Sequence, residues 1–411
     1  MTETTVTSAS AAIRTGIARR RLGVGVIGFG WLGQAHSRSI ARIPMLFHDR
    51  PYEPRLVACS DAVAGRVDEA ISSFQFERGS SDWRAVVDDR GVDIVFIATP
   101  NMLHAELVEA VSAAGKAVFC EKPVGGTPEL VRRAAVAASA AGAINGVGYN
   151  YRWAPLVQYA RELIAAGELG EITNYRGRFF SMYGADPLGL HSWRFAFDEA
   201  GFGVTSDLLS HSVDLAHMLI GPITRVTGTV ETFIRERPVP GGAATHYGRG
   251  RPEDPRAPVT NEDYAGMLAQ FASGARGTFE ASRTIIGPES QMAFDVYGTR
   301  GAIGWNLERL NELRLYRATP DRGSGYTTVL GGDRFPHHGA FVPGGGNAIG
   351  FEDLVTIEDH EFCCAVAEDR PFHPGFDAAA QWAAVQTALM TSAGSGRWVD
   401  VTPLIDEGRA P

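Results

Sequence analysis

The stretch Leu22-Gly23-Val24-Gly25-Val26-Ile27-Gly28-Phe29-Gly30-Trp31-Leu32-Gly33 decides the fold. A short apolar run, 22–27, passes directly into G-x-G-x-x-G, and the residues after it, 33–43, have helical spacing. Strand, glycine turn and helix in that order form the context in which the pattern carries meaning. Gly28 permits a tight turn, Gly30 lets the main chain approach a pyrophosphate, and Gly33 lets helix and strand pack closely. The positive end of the helix then faces the phosphates. Gly28, Phe29, Gly30, Trp31, Leu32 and Gly33 are therefore expected to cradle a dinucleotide.

Working outward, further apolar runs at 55–59, 92–98 and 116–120 alternate with helical stretches such as 104–114. That alternation predicts βαβ units and a doubly wound parallel sheet, an α/β Rossmann domain over 21–148. Asp61 ends the second strand, 28 residues past Gly33, where its carboxylate is placed for the ribose hydroxyls and repels a 2′-phosphate. The spacing is long for this motif, and an inserted loop at 44–54 is expected to account for it. NAD is the expected cofactor, with NADP as the alternative because Ser60 and Arg66 stand beside Asp61. Ala98-Thr99-Pro100-Asn101 and Glu121-Lys122-Pro123 close two strands at the carboxyl edge, where ligands of such sheets sit. Thr99, Pro100, Asn101, His104, Glu121 and Lys122 are assigned to the cofactor side. Lys122 is also placed to hydrogen-bond a substrate hydroxyl and stabilise growing negative charge on it.

Beyond 148 the texture changes to longer, alternating strands at 171–182, 223–234, 263–271, 276–285 and 291–297. They predict an α+β domain over 149–411 with a large, mostly antiparallel open sheet, its C-terminal segment returning to the Rossmann domain. Two stretches rich in Gly and Pro, 237–260 and 322–347, are expected to be loops, either binding loops or disordered. Residues 205–220 read as a helix with Asp207, His211, Asp214 and Met218 on one stripe and a broad apolar arc opposite. Asp207 and His211 are i,i+4 neighbours, close enough for the carboxylate to orient or tune an imidazole suited to proton transfer.

The 411 residues suit two domains, and 45% hydrophobic with 21% charged residues is the balance of a globular chain. A net charge of −9 offers no global basic field for nucleic acid. No apolar run approaches the roughly 20 residues a membrane span needs. Residues 1–20 lack an apolar core and read as a flexible lead rather than a secretory signal. Cys59, Cys120, Cys363 and Cys364 show no metal or redox spacing, consistent with reduced thiols and a cytoplasmic protein. His337 and His338 are adjacent in a glycine-rich stretch, and no metal is assigned to them.

The order of GFGWLG, TPNMLHAE, AGKAVFCEKP, GYNYRW and GFGVTSDLLSHSVDLAHML resembles the Gfo/Idh/MocA family of oxidoreductases across nearly the whole chain. SDWRAVV, the segment 186–195 and the Gly-rich stretch 322–347 resemble the branch of levoglucosan, inositol and glycoside 3-dehydrogenases. The resemblance implies catalytic roles for Lys122, Asp207 and His211, which match the family's EKP and DxxxH motifs. It implies a substrate pocket that adds Asn150, Tyr151, Arg152, His191, Trp193 and Arg194, and a homodimer or homotetramer. The implied activity is NAD(P)-dependent oxidation of a ring secondary hydroxyl of a sugar, anhydrosugar, glycoside or inositol. A glycoside-cleaving enzyme or lyase that recycles NAD, and a non-catalytic sensor of dinucleotide or sugar, stay open beside it.

Overall fold

The computed structural model describes residues 19–241, 248–318 and 324–405; most of the lead at 1–20 lies outside them. The first sheet is parallel and six-stranded: β1 (Arg20–Ile27), β2 (Tyr52–Ser60), β3 (Arg78–Ser80), β4 (Ile94–Ile97), β5 (Ala117–Cys120) and β6 (Asn145–Val147), in the order β3-β2-β1-β4-β5-β6. Every residue of β4 and β5 is buried, as strands covered by helices on both faces must be. The strand order reverses between β1 and β4, and a crevice opens there at the carboxyl ends.

The second sheet has nine strands. β7 (Ile172–Ser181), β8 (Ile223–Glu231), β11 (Tyr264–Phe271), β12 (Arg276–Ser282) and β13 (Ser290–Gly298) are the strands legible in the sequence. β14 (Gly301–Asn306), β15 (Glu312–Arg317), β16 (Tyr326–Leu330) and β17 (Val399–Asp400) complete it, in the order β16-β15-β14-β13-β7-β12-β11-β8-β17. Among the described residues of this sheet only β7 and β12 pair in parallel. Alternate residues of β11 and β12 are buried, so one face carries the core and the other faces outward.

Three expectations need correction. The stretch 44–54 is not an inserted loop: the helix Trp31–Leu46 runs through Pro44, and β2 starts at Tyr52. Proline lacks the N–H of one turn, but burial of Ile43 and of Phe47, stacked 3.8 Å from the His360 ring, carries the helix past it. The stretch 322–347 contains β16, whose Tyr-Thr-Thr-Val core pairs with β15. The stretch 237–260 includes most of a small hairpin of β9 (Glu236–Pro238) and β10 (Arg256–Pro258); its 242–247 part lies outside the described residues.

The C-terminal helices return to the first sheet. Phe376, Ala379, Ala380 and Ala383 of the helix Phe376–Ser395 share a core with Val118, Val131 and Val147. The helix Phe351–Ala367 packs on Trp31–Leu46 and is tied to it by Arg38–Glu352 and Arg42–Asp353 ion pairs. Phe351 and Val355 thereby reach the crevice at the strand ends.

Candidate active site

A cleft of about 1040 Å³ runs from the glycine turn to the carboxyl ends of β4 and β5 and on to the inner end of the second sheet. At one end the main chain is shaped by what glycine lacks. Gly28 sits at φ +91°, and a Cβ on Gly33 would stand 2.0 Å from the Gly28 carbonyl, so neither position accepts a side chain. Nothing lies within 4 Å of where a Cβ on Gly30 would point, and Gly30 lines the cleft. The helix Trp31–Leu46 begins there with no side-chain cap and no acid in its first turn, leaving its orphan N–H groups and positive end uncompensated. This end fits the diphosphate of a dinucleotide.

Asp61 holds the turn as well as facing the cleft. Its Oδ2 accepts the Phe29 N–H at 2.7 Å and its Oδ1 the Val63 N–H at 2.8 Å. A carboxylate has about four acceptor sites; with Arg66 Nη1 also donating to Oδ2, capacity remains for one ribose hydroxyl. Arg66 lies 3.3 Å away, half exposed.

At the other end, Lys122 leaves β5 through a cis peptide to Pro123. Its Nζ donates to the Asp207 carbonyl and to Asp207 Oδ1, both at 2.9 Å. Tyr183 donates its hydroxyl to Asp207 Oδ2 at 2.9 Å. An ammonium has three donors, and one is left for the cleft. Burial opposes the Asp207 charge, but Lys122, Arg194 and the two hydrogen bonds outweigh it and hold the carboxyl well below its ordinary range. His211 is buried beside this pair, its ring 4.6 Å from that of Tyr151 and 5.8 Å from that of Tyr149. Burial first, and the Lys122 charge second, depress its pKa well below 6.5; Asp207 pulls the other way with less effect. The imidazole is thus a neutral acceptor at pH 7.

The helix that supplies these groups differs from the expected wheel. Thr205–Leu209 is a π-helical turn and Ser210–Ile220 is α-helical. Asp207 and His211 line the cleft. No hydrogen bond joins them: the carboxylate tunes the imidazole through space and its oxygens go to Lys122 and Tyr183. Asp214, expected on the same stripe, is turned into the interior because elements pack on both sides of this helix.

The cleft brings together Gly28, Gly30, Trp31, Leu32, Asp61, Thr99, Pro100, Asn101, His104, Glu121, Lys122, Asn150, Tyr151, Trp193, Arg194, Asp207 and His211. Four expected members are absent from its described lining. The Phe29 side chain is core, meeting Phe74 and Phe76 edge-on, and Gly33 packs on Gly28. His191 turns to the Pro258 carbonyl. Arg152 gives both Nε and Nη2 to Asp214 at 2.7 and 2.6 Å, because a buried guanidinium needs its carboxylate more than a wet cleft needs a donor. Arg152→Met leaves the buried Asp214 carboxyl without its partner, and a loss of about 3 kcal/mol is expected, read as a lower denaturant midpoint with an unchanged slope. Within the lining, Asn101 and His104 spend side-chain atoms on loop carbonyls: Ala200 for Asn101, Pro123 and Thr99 for His104. His337 and His338 point to different partners, Glu361 and the Asn347 carbonyl.

Sequence reasoning missed Tyr183, which follows β7 without a motif, and Phe351 and Val355, which arrive from the far end of the chain. Phe179 of β7 and Ser192, just before Trp193, also add to the wall.

The profile of the "Oxidoreductase family, NAD-binding Rossmann fold" matches residues 22–149, and that of the "GFO/IDH/MocA C-terminal domain" matches 157–304. The chain is 36% identical to the levoglucosan dehydrogenase of Pseudarthrobacter phenanthrenivorans over 384 residues, 93% of this chain and 98% of that one. It is 30% identical to the scyllo-inositol 2-dehydrogenase (NAD(+)) of Bacillus subtilis over 306 residues, 74% of this chain and 78% of that one. A solved levoglucosan dehydrogenase in complex with NADH superposes with a TM-score of 0.88 at 35% identity, covering 93% of this chain and all of the other. With two thirds and more of each curated relative aligned, and both halves matched in order, the chain belongs to the Gfo/Idh/MocA family of oxidoreductases.

Proposed function

We propose that this enzyme oxidises a ring secondary hydroxyl of a sugar, anhydrosugar, glycoside or inositol to the oxo compound, with NAD as hydride acceptor. The observation that carries the reading is one cleft holding the uncapped glycine turn at one end and Lys122, Asp207 and His211 at the other. Relatives that act on levoglucosan and scyllo-inositol support the substrate class. NAD, held by the turn at Gly28 and Gly30 and by Asp61, would supply the hydride acceptor. His211 accepts the hydroxyl proton, and Lys122 gives its remaining N–H to the same oxygen as negative charge grows on it. Asp207 and Tyr183 fix the ammonium. Trp193 supplies an apolar wall, and Arg194 and Asn150 supply polar groups for the other hydroxyls.

The test is absorbance at 340 nm with NAD or NADP and levoglucosan, myo-inositol, scyllo-inositol, glucose and simple glucosides. Reduction with at least one of them is expected. Silence across the panel, with dinucleotide binding confirmed by fluorescence, would sink the reading. Asp61→Ala is expected to weaken NAD about tenfold, the worth of one charged hydrogen bond, and to narrow the preference over NADP. An unchanged preference would remove Asp61 from the ribose.

We divide the chain into domains at 148/149 and place it in the cytoplasm, where four buried, unpaired cysteines stay reduced. We propose self-association as a homodimer or homotetramer through the outward face of the second sheet, which the alternating burial of β11 and β12 leaves without a packing layer from this chain.

A further inference from the structure

Under the cleft floor lies a charge cluster that hydride transfer as described leaves without a task. His36, on the helix opened by the glycine turn, is buried with Nδ1 2.9 and 3.1 Å from the two oxygens of Asp359 and Nε2 3.2 Å from Glu121 Oε1. Each ring nitrogen faces a carboxylate, and both contacts are satisfied by charged acids only when each nitrogen carries a hydrogen, as in imidazolium. The Phe96 and Phe119 rings lie alongside at 5.0 and 5.4 Å. Burial works against the charge, yet Asp359 and Glu121 outweigh it and raise the His36 pKa to about 10. Glu358, beside Asp359, has neither oxygen partnered among the described residues. Burial, Glu121 and Asp359 push its carboxyl far up, so it is a neutral acid and does not compete for His36. Glu121 Oε2 accepts the Lys122 N–H at 3.2 Å. Gly148 leaves room for this carboxylate: a Cβ there would stand 2.9 Å from Oε1 and 3.0 Å from Oε2.

We propose that His36, anchored by Asp359, clamps the Glu121 carboxylate and through it fixes the main chain of Lys122, making all three positioning residues for hydride transfer. A released Glu121, which lines the cleft next to Lys122, would compete with Asp207 for the ammonium. The inference rests on the reading of Lys122 given above, so its test has one arm that needs no turnover.

In the full chain, Asp359→Asn, Glu121→Gln and Gly148→Ala are each expected to lower kcat about 10- to 100-fold, the range for misplacing a reacting group. KM for NAD stays within about twofold in Asp359→Asn, whose side chain lies outside the cleft lining. Gly148→Ala displaces the carboxylate without removing a charge, and it keeps the test alive if a charge variant fails to fold. Asp359→Asn with Glu121→Gln should be no worse than the poorer single variant, since one chain of contacts is being cut. In the second arm, NMR of histidine- and lysine-labelled protein reads the groups directly. Lys116 and Lys122 are the only two lysines in the sequence, so Lys122→Ala assigns the signals, and His36→Gln assigns the imidazole. His36 should remain imidazolium up to about pH 9, and the Lys122 ε-carbon signal should move in all three variants. Wild-type kcat in Glu121→Gln and Asp359→Asn, additive losses, or a His36 that titrates near its ordinary value would each overturn the proposal. Absence of turnover in the wild type would instead strike at the dehydrogenase reading, and the NMR arm would still decide the clamp.

Discussion

Lys122→Ala lowers kcat about 1,000-fold while the far-UV circular dichroism spectrum stays that of the wild type. The magnitude is that of removing a preorganised donor aimed at developing negative charge. Here the loss has a second part. Asp207 keeps its Tyr183 hydrogen bond but loses the cation that most offsets its burial, so its carboxyl rises toward the ordinary range. Arginine is a poor substitute at this position. Two of the three ammonium donors converge on the carbonyl and carboxylate of one residue, and a planar guanidinium fork cannot reproduce that geometry and still present a donor to the cleft. The sequence otherwise uses arginine for nearly all its cations: of 38 basic residues only Lys116 and Lys122 are lysines. Lys116 also points its ammonium at two carbonyls, those of Asp89 and Val92. Lys122→Arg is therefore expected to recover less than tenfold of the lost rate. Steady-state kinetics decides it, and a Lys122→Ala variant within tenfold of the wild type would remove the residue from the reaction.

The parts of the site that were legible in the sequence are those written in local chain geometry. Gly28, Gly30 and Gly33 announce a turn because only glycine tolerates the φ of the first and the 2.0 Å approach of the third. Lys122 is legible because it ends an apolar run at the edge where such sheets bind ligands. What was not legible depends on contacts between distant segments. A wheel drawn for a regular helix puts Asp214 beside Asp207 and His211. The wheel knows nothing of the π turn at Thr205–Leu209 or of Arg152, which arrives from 62 residues away to claim Asp214. Pro44 looks like a helix end until burial of Phe47 against His360 is seen to extend the helix past it. β16 has a strand-like core of five residues inside a stretch whose Gly and Arg content reads as loop. In each case tertiary packing outweighs a local propensity worth at most a few kcal/mol.

His211→Asn is expected to lower kcat about 1,000-fold, within the range for losing a general base, and to erase the acid limb of the pH profile for oxidation. The sign of that limb follows from the surroundings of the ring. Burial and the Lys122 charge both disfavour imidazolium, and Asp207 only partly compensates, so the pKa lies below 6.5. A base must be unprotonated to accept the hydroxyl proton. Oxidation in the wild type therefore stays level as the pH falls from 8 to 6.5 and declines only below that. Ketone reduction needs the protonated ring, so its rate is expected to rise on moving below 6.5. Lys122→Ala connects this result to the first. Removing the ammonium takes away the second largest cause of the depressed pKa, so the residual activity of that variant should show its acid limb at higher pH than the wild type. A wild-type limb at or above 6.5 would mean that His211 is not the base, or that water reaches it when substrate is bound. A limb that stays fixed in Lys122→Ala would mean that the two side chains do not sense each other's charge across the cleft.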